Sequence, residues 1–487
     1  MNISRAKDTV KKTVSLYLKK DEWGTYEIPV HKQRPIFLIG APGIGKTAIM
    51  EQVAAELGLA LVSYSMTHHS RQSALGLPFI VKKEYGGREY SVSEYTMSEI
   101  IGSIHDTMEQ SGISEGILFL DEINCVSETL YPSMLQFLQY KVFGRHKVPE
   151  GWVIVTAGNP PEYNRMVREF DVVTMDRLKV IEVEPDLKAW LRYAGEAGVH
   201  PAISAYLEVR PEHFFIYEQT AAGKSYVTAR GWEDLSYVLR MYEKEGLEAD
   251  EALMGQYLRS EKAAKEFAAY YELFNKYKRD YRIADILEGK WAEDTVSRAA
   301  GARFDERISL ISMLGDRLEK DMDEVLSAMD ILKRAKPLVA AEGTPEILER
   351  GIEALNEQSK RREAAGNADE RERRLYRRQK AFMEKLKAAS VADGPEGAKA
   401  LYREELGKLK TGSTVTGERL SSYIHFGESA FGEGNELTIM LTRLTVSETA
   451  SRFLASFSNE DYNRTSSKLL TERKREALRE EIGSLEM

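Results

Sequence analysis

Short, mainly apolar runs, separated by stretches with helical spacing, dominate the first part of the chain. Residues 35–40, 59–64, 116–120, 152–157 and 178–183 are such runs, and their turn-forming flanks mark them as short buried strands. Residues 48–57, 97–111, 127–140 and 162–175 fall between them with apolar positions on one helical face. Strands apolar on both faces that alternate with helices predict a five-stranded parallel sheet with right-handed crossovers, an α/β fold. Residues 4–20 place Val10, Val14, Leu16 and Leu18 among lysines, an amphipathic helix that would pack beside this sheet.

Two stretches interrupt the alternation. Residues 79–92, inside an insertion spanning 65–94, read as two strands around Gly86-Gly87, and residues 141–150 read as a second hairpin around Gly144. The first has no evident core duty. From residue 186 the strand pattern stops, and 186–195, 201–209 and 231–245 read as three helices. Beyond 246 the chain is almost wholly helical and highly charged, with loop-like breaks expected at 412–417 and 427–434. The expected division is an α/β core over 1–185 carrying the N-terminal helix and both hairpins, a helical lid over 186–245, and a helical region over 246–487 for partner docking or oligomer contacts.

Composition narrows the class. With 487 residues, 43% hydrophobic and 30% charged, the chain is a multidomain globular protein with charged helical surfaces. A net charge of −9 disfavours general nucleic-acid binding. The basic run from Lys360 to Lys380 is interleaved with glutamates and poor in aromatics, which is the pattern of a solvated helical face. Cys125 is the single cysteine, so no disulfide framework or cysteine zinc site is expected, and a reducing cytosol suits the chain. No membrane span and no signal peptide are expected, and the expected location is cytoplasmic. His68, His69 and His146 lack zincin-type spacing and read as loop histidines.

The first apolar run carries chemistry. It leads into Gly40-Ala41-Pro42-Gly43-Ile44-Gly45-Lys46-Thr47-Ala48, a glycine-rich turn opening a helix and meeting the pattern GxxxxGK[ST]. Glycines let backbone N–H groups curl around phosphate oxygens, and the helix start aims its dipole at the same anion. Lys46 would reach the β- and γ-phosphates of ATP, and the Thr47 hydroxyl would ligate Mg²⁺. The third strand ends in Asp121-Glu122, placed to hold Mg²⁺ and to polarise an attacking water. The fourth ends near Asn159, placed to bond the γ-phosphate and that water.

In this order, and with the two hairpins between them, GAPGIGKT, ILFLDEIN and TAGNP resemble the MoxR-like, helix-2-insert branch of the AAA+ ATPases over roughly residues 30–245. The resemblance implies that Lys46 and Thr47 are Walker A residues, Asp121 and Glu122 Walker B, and Asn159 sensor 1. It implies that Arg177, in Met175-Asp-Arg-Leu178, enters the neighbouring subunit's site, with Arg165 and Arg168 as alternates. Arg230, in Thr228-Ala-Arg-Gly, would be sensor 2, touching the phosphates in cis. The family often reads DEINRA where this chain has Cys125-Val126, which leaves the usual arginine without a counterpart. Cys125 itself reads as a buried, inert thiol. The resemblance further implies a Mg²⁺-dependent ring ATPase, favoured as a hexamer, with chaperone-like remodelling of a protein partner bearing a von Willebrand factor type A domain. Two alternatives accompany it. One is a nucleic-acid-dependent motor contacting its substrate through Lys82, Lys83, Arg88, Arg145, His146 and Lys147; the other is a slow ATP-dependent regulatory switch.

Overall fold

The computed structural model describes residues 1–468 apart from 69–73, 75, 144–145, 165–166, 221–222 and 369. The chain forms two compact units. One comprises Met1–Asp186 with Ile352–Lys380, and the other Leu187–Gly351 with the described residues from Ala381 onward. In chain order the strands of the first unit are β1 (Ile36–Gly40), β2 (Ala60–Ser65), β3 (Pro78–Tyr85), β4 (Arg88–Tyr95), β5 (Gly116–Asp121), β6 (Val142–Phe143), β7 (His146–Lys147), β8 (Trp152–Gly158) and β9 (Lys179–Val183).

Five of these form the sheet, in the order β2-β5-β8-β1-β9, and every neighbouring pair is parallel. All carboxyl ends therefore share one edge. The central strand β8 is buried along its whole length, which explains its mainly apolar sequence, and its one polar side chain, Thr156, donates to the Ile36 carbonyl. Gly116 opens β5 where a Cβ would lie 2.7 Å from the Trp152 ring and 2.8 Å from the Ala60 carbonyl, so the strands meet there only because it is glycine. Helix Lys46–Leu57 follows β1 and stops at Gly58, whose φ of +66° provides the left-handed cap. Both sheet edges are covered by distant chain. The Met1 carbonyl accepts from Glu184 N beside β9, and residues 365–367 lie against β2.

The two hairpins form as expected, β3 pairing antiparallel with β4 around Gly86-Gly87, and β6 with β7. Gly144 and Arg145 lie outside the described residues. Helix Glu99–Ser111 matches its expectation, while the next expected helix begins only at Tyr131. The helix expected over 162–175 is reduced to Val172–Met175. Asp171 caps that short turn through Thr174 N, and Arg168 N donates to the Asn124 carbonyl (2.9 Å), so backbone bonds before it go elsewhere than a helix.

The second unit is mainly helical, but strands do not end at residue 186 as expected. β10 (Ile216–Thr220) and β11 (Gly223–Val227) make an antiparallel hairpin ahead of helix Ala229–Glu245. Trp232 and Phe267, both fully buried, meet edge to face at 5.1 Å in the core of this unit. Helix Phe304–Ala340 contributes Leu310, Leu314, Leu318 and Met322 to the same core. The breaks expected at 412–417 and at Gly427 are absent, because helix Glu370–Phe431 runs through them. Its fully buried Leu420, Tyr423, Ile424 and Phe426 outweigh the roughly 1 kcal/mol that each interior glycine costs. Its real kink is at Asp393-Gly394, before Pro395, and it ends before Gly432 at φ +60°.

Candidate nucleotide site

The residues expected to meet ATP gather at the carboxyl ends of β1, β5 and β8. Gly43 and Gly45 take φ values of +71° and +96°, which turn the loop after β1 into the helix that begins at Lys46. Gly40 sits so close to β9 that a Cβ would lie 2.3 Å from the Val183 carbonyl. The Lys46 side chain is buried, and its Nζ donates to the Gly40 and Ala41 carbonyls (both 2.8 Å) and to Asn159 Oδ1 (3.0 Å). One ammonium thus ties the loop to the end of β8.

Thr47 Oγ1 donates to Asp121 Oδ2 at 2.9 Å, joining the loop to the end of β5. The other Asp121 oxygen accepts from Glu122 N at 2.8 Å. Glu122 itself adopts φ +55°, an uncommon conformation for a residue with a side chain and one that concentrates at functional sites. Its Oε2 accepts from Ser65 Oγ and from Thr67 Oγ1, both at 3.0 Å, at the end of the edge strand β2. The carboxylate is therefore held by two hydroxyls that no sequence motif singles out.

Asn124 is another site residue that the motifs alone do not assign. Its Nδ2 donates to the Asn159 carbonyl at 2.9 Å, and Gly158 makes room for it, since a Cβ there would lie 2.4 Å from Asn124 Oδ1. The DEIN spacing is the available signal, because the residue two beyond Glu122 lies in the short turn Ile123–Cys125. Cys125 is buried and its Sγ accepts from Asn164 Nδ2 at 3.4 Å. Burial, then the nearby Glu122 and Asp121 charges, push its thiol pKa up, which suits an inert cysteine.

The arginines differ. Arg168 is engaged with the Glu128 carboxylate and lies 5.8 Å over the Tyr131 ring, whereas Arg165 is outside the described residues. Arg177 is exposed, beyond a turn whose Val172 and Val173 are 84% and 59% exposed. In the helical unit, Arg230 is exposed in the first turn of helix Ala229–Glu245, which Thr228 caps through Gly231 N at 3.3 Å.

These features fit ATP with Mg²⁺. The positive-φ glycines curl the loop, Lys46 stands within it, and Thr47 and Asp121 bring two oxygens together where a divalent cation beside phosphate would bind. Among the described residues no group of three or more His, Cys, Asp or Glu gathers to hold a metal, and no helix is long and apolar enough to cross a membrane.

Residues 35–178 match the family model for the AAA domain (dynein-related subfamily). No curated protein matches the chain. Sheet, site and family match converge on an α/β domain of the AAA+ ATPase fold followed by a mostly helical region, and they imply ATP binding and ATP-driven activity.

Proposed function

We propose that this protein is a Mg²⁺-dependent ATPase that assembles as a ring, a hexamer by its resemblance to MoxR-like proteins, and couples ATP hydrolysis to remodelling of a protein partner. The observation that carries the reading is the bonded set Lys46–Asn159 and Thr47–Asp121 beside Glu122. Lys46 Nζ would meet the β- and γ-phosphate charge of the ATP substrate. Thr47 Oγ1 and Asp121 would hold Mg²⁺, whose chemistry when bound is to screen phosphate charge. Glu122 Oε2, released from Ser65 and Thr67, accepts the proton of the attacking water, and Asn159 orients that water against the γ-phosphate.

Arg177 has the exposure that a residue acting on a neighbouring subunit needs, while Arg168 is already engaged. A guanidinium supplied in trans would make turnover depend on assembly. Mixing Arg177→Ala with Glu122→Gln subunits is the test. Each variant alone is inactive, and mixed assemblies recover part of wild-type phosphate release. No recovery at any ratio, with mixed assemblies demonstrated by mass, would overturn the shared site.

A protein partner is favoured over nucleic acid by the β3–β4 hairpin. Lys82 is paired with Glu89 (2.7 Å) and Lys83 with Glu94, so both of its lysines are already answered. Ile80 is 77% exposed, with Phe79, Tyr85 and Tyr90 also exposed, a surface suited to apolar protein contact. The resemblance makes a von Willebrand factor type A domain the first partner to test by co-purification in the presence of ATP. Stimulation of turnover by DNA, lost steeply with salt, would instead favour the motor reading.

A further inference from the structure

The edge strand β2 is gripped at one end by a turn from far along the chain and holds the catalytic carboxylate at the other. At its start, Leu61 N donates to the Ala365 carbonyl (2.8 Å), and Asn367 Nδ2 donates to the Leu59 carbonyl (2.7 Å) across 308 positions. At its end are Ser65 and, just beyond, Thr67, whose hydroxyls hold Glu122.

The grip is closely fitted. Ala365 is fully buried among the side chains under the sheet, and Asn367 is 2% exposed. Between them Gly366 has φ +67°, and a Cβ on it would lie 2.5 Å from the Leu61 carbonyl. Both conformation and closeness require glycine. The turn closes the end of helix Pro345–Ala364, Ala365 N and Gly366 N donating to the Arg361 and Glu363 carbonyls.

Among the described residues β2 pairs in the sheet only with β5, in a register that sets Ser65 opposite Asp121. Any shift of β2 along or away from β5 moves Ser65 and Thr67 relative to Glu122, and Leu61 is only about 13 Å from Ser65 along an extended strand. We propose that the Ala365–Asn367 turn is a control clasp on Glu122: seated, it keeps β2 in the register that parks the carboxylate on Ser65 and Thr67, and lifted, it frees Glu122 for hydrolysis. The proposal rests on Glu122 being the proton acceptor in ATP turnover. Ser65, Thr67 and Asn367 are then positioning residues.

The test uses the full-length chain with Asn367→Ala, and with Asn367→Leu as a volume-keeping second variant. Hydrogen exchange across residues 59–67 and steady-state turnover of Mg²⁺-ATP are measured. Exchange rises at Leu61 and also at Ser65–Thr67, and kcat rises about three- to tenfold, the worth of one lost hydrogen bond, with KM for ATP unchanged. In a Ser65→Ala/Thr67→Val background the Asn367 change adds nothing further. Exchange that rises at Leu61 alone overturns the clasp whether or not the protein turns over ATP, as does a kcat that falls, stays level or changes by the same factor in the double-variant background. Absence of ATP hydrolysis by the wild type, with exchange still coupled from Leu61 to Thr67, would instead overturn the reading of Glu122.

Discussion

Glu122 is held in a backbone region that costs a non-glycine residue of order 1–3 kcal/mol, with its carboxylate bonded to Ser65 and Thr67. That arrangement is maintained by neighbours and is sensitive to small changes in them. Gly158 is one such neighbour. Gly158→Ala would drive a methyl into Asn124, displace the Asn159 carbonyl it holds, and lower kcat about tenfold or more while ATP binding through Lys46 persists. Measured kcat and ATP affinity separate the two effects. His200, in the helical unit, makes a different prediction. Its Nδ1 accepts from Ala202 N (3.2 Å) to cap helix Pro201–Val209, and its Nε2 lies 3.3 Å from Glu243, so the folded state requires the neutral, Nε2-protonated ring. Burial lowers its pKa below the ordinary histidine value. A base with a depressed folded pKa stabilises fully above its unfolded value, about 6.5, and that contribution is lost as pH falls toward the folded one. Thermal unfolding of this unit should therefore shift downward from about pH 7.5 to 5.5, and His200→Asn, which keeps a capping oxygen, should flatten that slope.

The strands of the sheet were legible from their apolar runs because burial on both faces leaves little room for polar residues. Gly116 marks the limit of that tolerance. Gly116→Ala places a methyl against Trp152 and the Ala60 carbonyl and should destabilise the α/β unit by about 1–3 kcal/mol, read from denaturant midpoints. Elements whose backbone bonds are made to distant chain were not legible. The segment before Val172 spends Arg168 N on Asn124, a contact no local pattern announces. Gly412, Gly417 and Gly427 read as breaks because glycine disfavours helix, whereas the buried face between and beyond them sustains one. At Gly427 a Cβ would lie 2.7 Å from Met440 Sδ, so its smallness serves helix packing. The β10–β11 hairpin, only partly buried, lacked the alternation that identifies a strand.

At the scale of the molecule, the gathering of the loop, Asp121-Glu122 and Asn159 at one edge of the sheet was legible in the sequence, because each directly follows an apolar run that became a parallel strand. Ser65, Thr67 and Asn124 were not, since the hydroxyls that bond Glu122 and the amide that bonds the Asn159 carbonyl look like any other polar turn residue. Residues 352–380 lie with the α/β unit although more than 160 positions separate them from its last strand, and nothing in their charged, helical sequence signals the Gly366 contact. We propose that the first unit hydrolyses ATP with Glu122 as proton acceptor. Phosphate release from Mg²⁺-ATP, measured for the wild type and for Glu122→Gln with binding followed on the same samples, tests it most directly. The wild type should turn over, and Glu122→Gln should bind ATP comparably while losing about 10²- to 10⁴-fold in kcat. A Glu122→Gln variant that releases phosphate at the wild-type rate would contradict Glu122's role as proton acceptor.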